Sequence, residues 1–220
     1  MSPVPSIRRR DLGRLAAAGA AAYSLPAFGS PRPSDEIRVG CVGVRSRGNA
    51  HIGGFSGVPG VKVVALCDVD EGVLNQRLKE AAEKGRPAVG YTDLRKMLED
   101  KNIDVISLAT PNHLHALQTI WACQAGKHVY VEKPISHNVW EGRQVVRAAR
   151  KYGRIVQAGT QSRSAKGIAD GINWIQGGNL GKITHAWGTC FKPRTSIGKV
   201  DGPQSIPANI HWDLYCGPRG

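Results

Sequence analysis

The chain has 220 residues, 41% hydrophobic and 21% charged, a composition that excludes a disordered chain and leaves room for one domain and part or all of a second. No run of about 18 apolar residues occurs, so no membrane-spanning helix is expected. The formal net charge of +13 raises nucleic acid or an anionic surface as a partner, unless the motifs explain it otherwise.

The chain opens with Arg8, Arg9 and Arg10, followed by an Ala-rich stretch to Leu25 and by Pro26-Ala27-Phe28-Gly29. A basic segment, a short apolar segment and a small-residue cleavage site make a secretory signal over residues 1–29. Arg9-Arg10-Asp11-Leu12-Gly13-Arg14 looks like a twin-arginine motif, with Leu12-Gly13 where a Phe-Leu pair is usual. Export to the periplasm or another extracytoplasmic space is therefore expected. This segment holds four Arg and one Asp, so its removal lowers the net charge to +10. No block of five like charges, zinc-finger spacing or aromatic RNA-binding signature follows, so no nucleic-acid partner is expected. No stable membrane anchor is expected either. Five cysteines without a C-x-x-C pair are expected to be small buried hydrophobes.

From residue 37 onward, strand and helix patterns alternate. Continuous apolar runs predict strands at Ile37–Val44, Val61–Asp68, Ala88–Tyr91, Ile103–Ala109, His128–Glu132 and Ile155–Gly159. Between them, helices are predicted at 48–57, 71–84, 93–100 (opened by Thr92), 112–125 (ended by Gly126) and 137–152 (ended by Gly153). This order predicts a doubly wound α/β Rossmann fold over residues 36–160, with a parallel sheet buried on both faces. A helix at 165–177 and a strand at 182–191 are then expected to begin a partial α+β domain over 161–220. Those 60 residues are too few for an ordinary second core, so a truncated two-domain protein is the expectation.

The first turn is Gly43-Val44-Arg45-Ser46-Arg47-Gly48, a degenerate dinucleotide fingerprint. Gly43 permits the tight turn and Gly48 lets helix and strand pack closely. Arg45 replaces the middle glycine, and its side chain must bend away or meet the phosphates itself. Asp68 ends the second strand, where an acid accepts ribose hydroxyls and repels a 2′-phosphate. NAD is the expected cofactor; Arg45 and Arg47 keep NADP open. No metal site is expected.

Two more clusters fall at the carboxyl ends of strands, where such sheets bind ligands. One is Thr110-Pro111-Asn112-His113-Leu114-His115, with Asn112 able to cap a helix and His115 expected to face the crevice. The other is Glu132-Lys133-Pro134. The Lys133 ammonium there could polarise a substrate oxygen during hydride transfer. The plainer alternative is an exposed Glu132–Lys133 ion pair.

The turn, Asp68, Ala109-Thr110-Pro111-Asn112-His113-Leu114-His115 and Gly126-Lys127-His128-Val129-Tyr130-Val131-Glu132-Lys133-Pro134 together resemble the Gfo/Idh/MocA oxidoreductases. Gln157-Ala158-Gly159-Thr160-Gln161 and His211-Trp212-Asp213-Leu214 also look like that family's exported members. The resemblance implies NAD(P)-dependent hydride transfer to or from a sugar, a polyol or a related hydroxy compound. It implies that Lys133 lies at the active site and that Thr110, Asn112, His115 and Glu132 line the cofactor crevice. Family members are often homo-oligomers. The acid–base histidine that the resemblance implies in a second domain has no counterpart here. Two other readings follow: an NAD-dependent glycosidase of the same fold, whose motif has Val where Lys133 stands, or a cofactor-binding module without turnover.

Overall fold

A computed structural model describes residues 36–190, 193 and 195–219, so the expected export signal over 1–29 lies outside the described residues. Six strands form one parallel sheet: β1 Ile37–Val42, β2 Val61–Cys67, β3 Val89–Tyr91, β4 Val105–Leu108, β5 His128–Glu132 and β6 Val156–Gly159. Their spatial order is β3-β2-β1-β4-β5-β6. The order reverses between β1 and β4, which opens a crevice at the carboxyl ends of the strands. The helices between them are α1 Ser46–Ser56, α2 Glu71–Glu83, α3 Leu94–Glu99, α4 His115–Gln124 and α5 Val139–Lys151.

Apolar residues fill both faces of the sheet. Val39, Cys41, Val63, Leu66 and Leu74 belong to one cluster, with Ile52 and Phe55 of α1 against it. Val42, Ala65, Cys67, Ile106, Leu108, Val129 and Val131 form the other, with Met97, Ala122 and Ala148 from α3, α4 and α5. Burial pushes the Cys41 thiol up to about 12, the behaviour of an inert apolar residue. Cys67 and Cys123 are buried too, whereas Cys190 is exposed and Cys216 half-buried.

Strand β2 carries an irregularity that matters for the site. Val39 pairs with Val63 but Gly40 pairs with Ala65, so Val64 is an extra residue. Side chains alternate along a strand, and one extra residue reverses the alternation beyond it. Val63 and Leu66 consequently share a face, as do Ala65 and Cys67. By the same parity Asp68 follows Leu66 to the α1 side, toward the turn after β1.

Local chemistry fixes the element ends. Asp93, rather than the expected Thr92, caps α3, its side chain accepting from the Arg95 amide. Asn138 caps α5 in the same way through the Glu141 amide. The helix expected from residue 112 starts as a single 3-10 turn, Asn112–Leu114, and Asn112 makes no side-chain cap. The buried Lys127 ammonium donates to the carbonyls of Asp100 (2.6 Å) and Ile103 (2.8 Å), fixing the turn that leads into β4.

After β6 the pattern changes. Helix α6, Lys166–Trp174, continues through a π turn to Asn179, close to the expected helix. The strand expected at 182–191 does not form over its described residues 182–190. A strand needs a neighbour to accept its amides, and among the described residues none pairs with this stretch. The chain then returns to the sheet end. Asp70 forms an antiparallel bridge with Ile210, and a short helix α7, Trp212–Cys216, follows.

Candidate functional site: the crevice at the strand ends

The turn after β1 is tight because its glycines allow it. Gly43 has φ +75°, and a Cβ there would lie 2.8 Å from the Ala109 and Thr110 backbone. At Gly48, a Cβ would collide with the Gly43 carbonyl. Helix α1 therefore starts directly behind the turn, with no side-chain cap and no acid in its first turn. Its positive end is open to an anion.

Asp68 is the hub beside this turn. Its Oδ2 accepts from the Val44 amide (2.8 Å) and its Oδ1 from the Asp70 amide (3.0 Å). Burial pushes its carboxyl above the usual carboxylate range, outweighing those two hydrogen bonds. Each carboxylate oxygen keeps a second lone pair for a ligand hydroxyl. Asp70 is the opposite case: hydrogen bonds from the Val73 amide, Arg45 and Asn209 outweigh burial and hold it low. The Arg45 guanidinium pairs with Asp70, its Nη2 2.6 Å from Asp70 Oδ2.

A cavity of about 810 Å³ runs along these strand ends. Gly43, Arg45, Ser46, Arg47, Asp68, Thr110 and Pro111 line it, together with Asp93, Gln118 and Trp121. The Thr110 hydroxyl donates to Gln118 Oε1 at 2.6 Å. Gly48, Asn112, His115, Glu132 and Lys133 are not on this wall. Gly48 acts beneath the turn, and Asn112 is exposed.

His115 does not turn toward the crevice. It is buried, with Nδ1 2.7 Å from the Pro134 carbonyl and Nε2 2.8 Å from the Thr110 carbonyl. The ring ties the loop after β4 to the loop after β5, because α4 begins at His115 and aims it between them.

Glu132 and Lys133 do not form the exposed ion pair. Glu132 is buried, and its Oε1 accepts from Arg47 Nε (2.6 Å) and His51 Nε2 (3.1 Å). His51 Nε2 must carry a proton to donate to that carboxylate, so Nδ1 of the neutral ring accepts from the Ser107 hydroxyl at 2.9 Å. Burial pushes the Glu132 carboxyl up, but Arg47 and His51 outweigh it and hold it below the usual range. Burial likewise holds the His51 imidazole low, despite Glu132. Lys133 is exposed, and its amide donates to Glu132 Oε2 at 3.2 Å. The sequence reading missed His51. Its one signal is spacing: His51 stands three residues after Gly48, on the helix face that Gly48 turns to the sheet.

Comparison with known proteins decides the family. The model of the oxidoreductase family with an NAD-binding Rossmann fold, Gfo/Idh/MocA, matches residues 37–160. The chain belongs to the Gfo/Idh/MocA oxidoreductase family. It is 30% identical over 187 residues to inositol 2-dehydrogenase of Salmonella typhimurium, covering 81% of this chain and 54% of that protein. It is 29% identical over 156 residues to a glycosyl hydrolase family 109 protein of Shewanella pealeana, covering 69% and 34%. Among solved structures, the WlbA dehydrogenase from Bordetella pertussis in complex with NADH and UDP-GlcNAcA is 31% identical, with TM-score 0.60 over 69% of this chain and 43% of that one. The apo scyllo-inositol dehydrogenase from Lactobacillus casei shares the fold at 24% identity and TM-score 0.62, covering 68% and 44%. The chain thus spans about half the length of the inositol dehydrogenases that it matches. The Gfo/Idh/MocA match makes the domain over 37–160 an NAD-binding Rossmann domain. The Gly43 turn, the open end of α1 and the doubly anchored Asp68 fit such a cofactor.

Proposed function

We propose that this chain is the cofactor-binding part of an NAD-dependent oxidoreductase acting on a hydroxyl-bearing carbon of a sugar, polyol or related compound. The observation that carries the reading is Asp68, held by two backbone amides on the wall of the 810 Å³ cavity beside an uncapped helix end. The turn and α1 would hold the pyrophosphate, and Asp68 the adenosine ribose. Asp68, Asp70 and Asp93 stand together at this end, and Asp70 already engages Arg45. Arg95, on the same wall, likewise engages Asp93, which leaves Asp68, held by backbone amides, as the carboxylate to face the ribose; its charge disfavours a 2′-phosphate and supports NAD over NADP. When bound, NAD supplies a hydride acceptor. Lys133 would place its ammonium on the substrate oxygen, holding and polarising it. Glu132, fixed by Arg47 and His51, sets the course of the backbone that carries Lys133. The Arg9-Arg10 motif supports export through the twin-arginine route, and the inositol dehydrogenase relatives support a polyol substrate.

Titration with NAD+ and NADP+ tests this reading. Wild type should prefer NAD+, and Asp68→Ala should weaken NAD+ binding by about tenfold or more while relaxing the preference. An unchanged ratio of the two affinities removes the ribose role. The relatives of glycosyl hydrolase family 109 favour a second reading, glycosidic cleavage without net redox. Release of phenol from an aryl glycoside without NADH accumulation would select it. NADH formation with a polyol panel would select the first.

A further inference from the structure

The segment Asn209–Pro218 has no role in the cofactor reading above, yet it forms a wall of the same cavity. Ile210, Trp212, Asp213, Leu214, Tyr215 and Gly217 line it across from the strand ends. The segment is fastened beside the ribose acid. The Glu71 amide donates to the Asn209 carbonyl (2.9 Å), and the His211 amide to the Val69 carbonyl (2.9 Å). Asn209 Nδ2 donates to Asp70 Oδ1 at 2.8 Å, and His211 Nε2 lies 2.8 Å from Glu71 Oε1. At its far end, His113 Nε2 lies 3.0 Å from the Tyr215 carbonyl, which joins the segment to the loop after β4. It therefore spans from the β2 end to the β4 end, over the part of the crevice where Asp68 would take the ribose.

Its inner chemistry is aromatic and aliphatic. The Trp212 and Tyr215 rings stack, with centroids 5.2 Å apart and planes 18° apart. Pro111, Leu114 and Trp121 line the same cavity from the β4 side. A cavity lined by apolar side chains from this segment and from the β4 side, with carboxylates at the β2 end, suits a flat ring joined to a polyhydroxy sugar. We propose that residues 209–218 are a strap that supplies the purine-binding face of the site, with Trp212 and Tyr215 as the residues that recognise the base. The proposal rests on the cofactor reading and deepens it: binding of the adenosine part depends on a segment beyond the Rossmann domain.

Calorimetric titration of the full chain with NAD+, ADP-ribose and inorganic pyrophosphate tests the strap. Trp212→Ala should weaken NAD+ and ADP-ribose by the same factor, about tenfold, and leave pyrophosphate unchanged. Asn209→Ala with His211→Ala should weaken the same two ligands by loosening the strap without touching its rings. Where Trp212→Ala does not fold, by circular dichroism, Tyr215→Leu reads the same effect. Unchanged ADP-ribose affinity in folded variants overturns the strap as a purine face. An equal loss for pyrophosphate overturns it too, since the strap would then only hold the crevice together. A wild-type chain that binds neither NAD+ nor ADP-ribose overturns the cofactor reading itself, a result distinct from both.

Discussion

Residues 37–160 and the described residues of 166–206 contain the same kinds of apolar side chain, but only the first region buries a core of them. Ile106, Leu108 and Val131 are fully buried, whereas Ile172 is 49% exposed, Trp187 81% and Ile197 104%. Residue type does not separate the two regions; partners do. Each strand of the first region lies beside another strand of the same region, so helices can cover both faces of the sheet. The stretch 182–190 finds no strand among the described residues, and its side chains face solvent. Hydrophobic patterning identifies a segment that can be buried, and topology decides whether it is.

The sharpest test of this contrast is a truncation inside the sheet. Ile106→Ala should cost about 3–4 kcal/mol in urea unfolding, because it opens a cavity between strand and helices that cannot collapse. Gly48→Ala should follow at about 2–3 kcal/mol, since the added Cβ must displace the Gly43 carbonyl. The same variant should lose NAD+ binding, measured by titration, because the turn itself moves. Wild-type stability and affinity in Gly48→Ala would refute the close approach of helix and strand.

Polar burial gives the next test. Glu132→Ala leaves His51 Nε2 without its acceptor inside the core and should cost about 2 kcal/mol. Acidification probes the same network. The folded His51 value is lowered, so below the ordinary imidazole range of about 6.5 the unfolded chain takes a proton that the folded chain refuses. Stability falls as pH falls through that window. Glu132, also held low, adds a loss of the same sign further down, as pH falls through its own lowered value. Asp68, raised by burial, has the opposite sign and offsets part of that lower loss. Burial holds His128 low as well, with the same sign, so His51→Gln should make the part of the decline in urea midpoint nearest neutral pH shallower without abolishing it. An unaltered profile would remove His51 as its source.

The sheet was legible because its strands are continuous apolar runs spaced by amphipathic helices, and Asp68 was legible because it ends one of those runs. The bulge at Val64 was not, since an extra residue inside an unbroken apolar run leaves the composition unchanged. The partners of Glu132 were hidden for a different reason. His51 lies 81 residues earlier and meets Glu132 only once β1, β4 and β5 are side by side. For His115, helical position suggested a crevice-facing ring, but the carbonyls of Thr110 and Pro134 are nearer. The strap was least visible: α7 is five residues long and has too few turns to carry a period.

The smallest expected effect completes the contrast. Trp187 packs only against His185, ring centroids 5.7 Å apart, among its described aromatic contacts, and it is largely in water. Trp187→Ser removes a far larger side chain than Ile106→Ala does, so residue size alone would rank it first. Exposure ranks it last: little apolar area leaves water on folding, and the change in unfolding free energy should stay within about 0.5 kcal/mol. Urea denaturation of both variants under one condition compares the two regions directly. A loss at Trp187 as large as that at Ile106 would mean that residues 166–206 bury their apolar side chains in solution, and the contrast between the regions would fail.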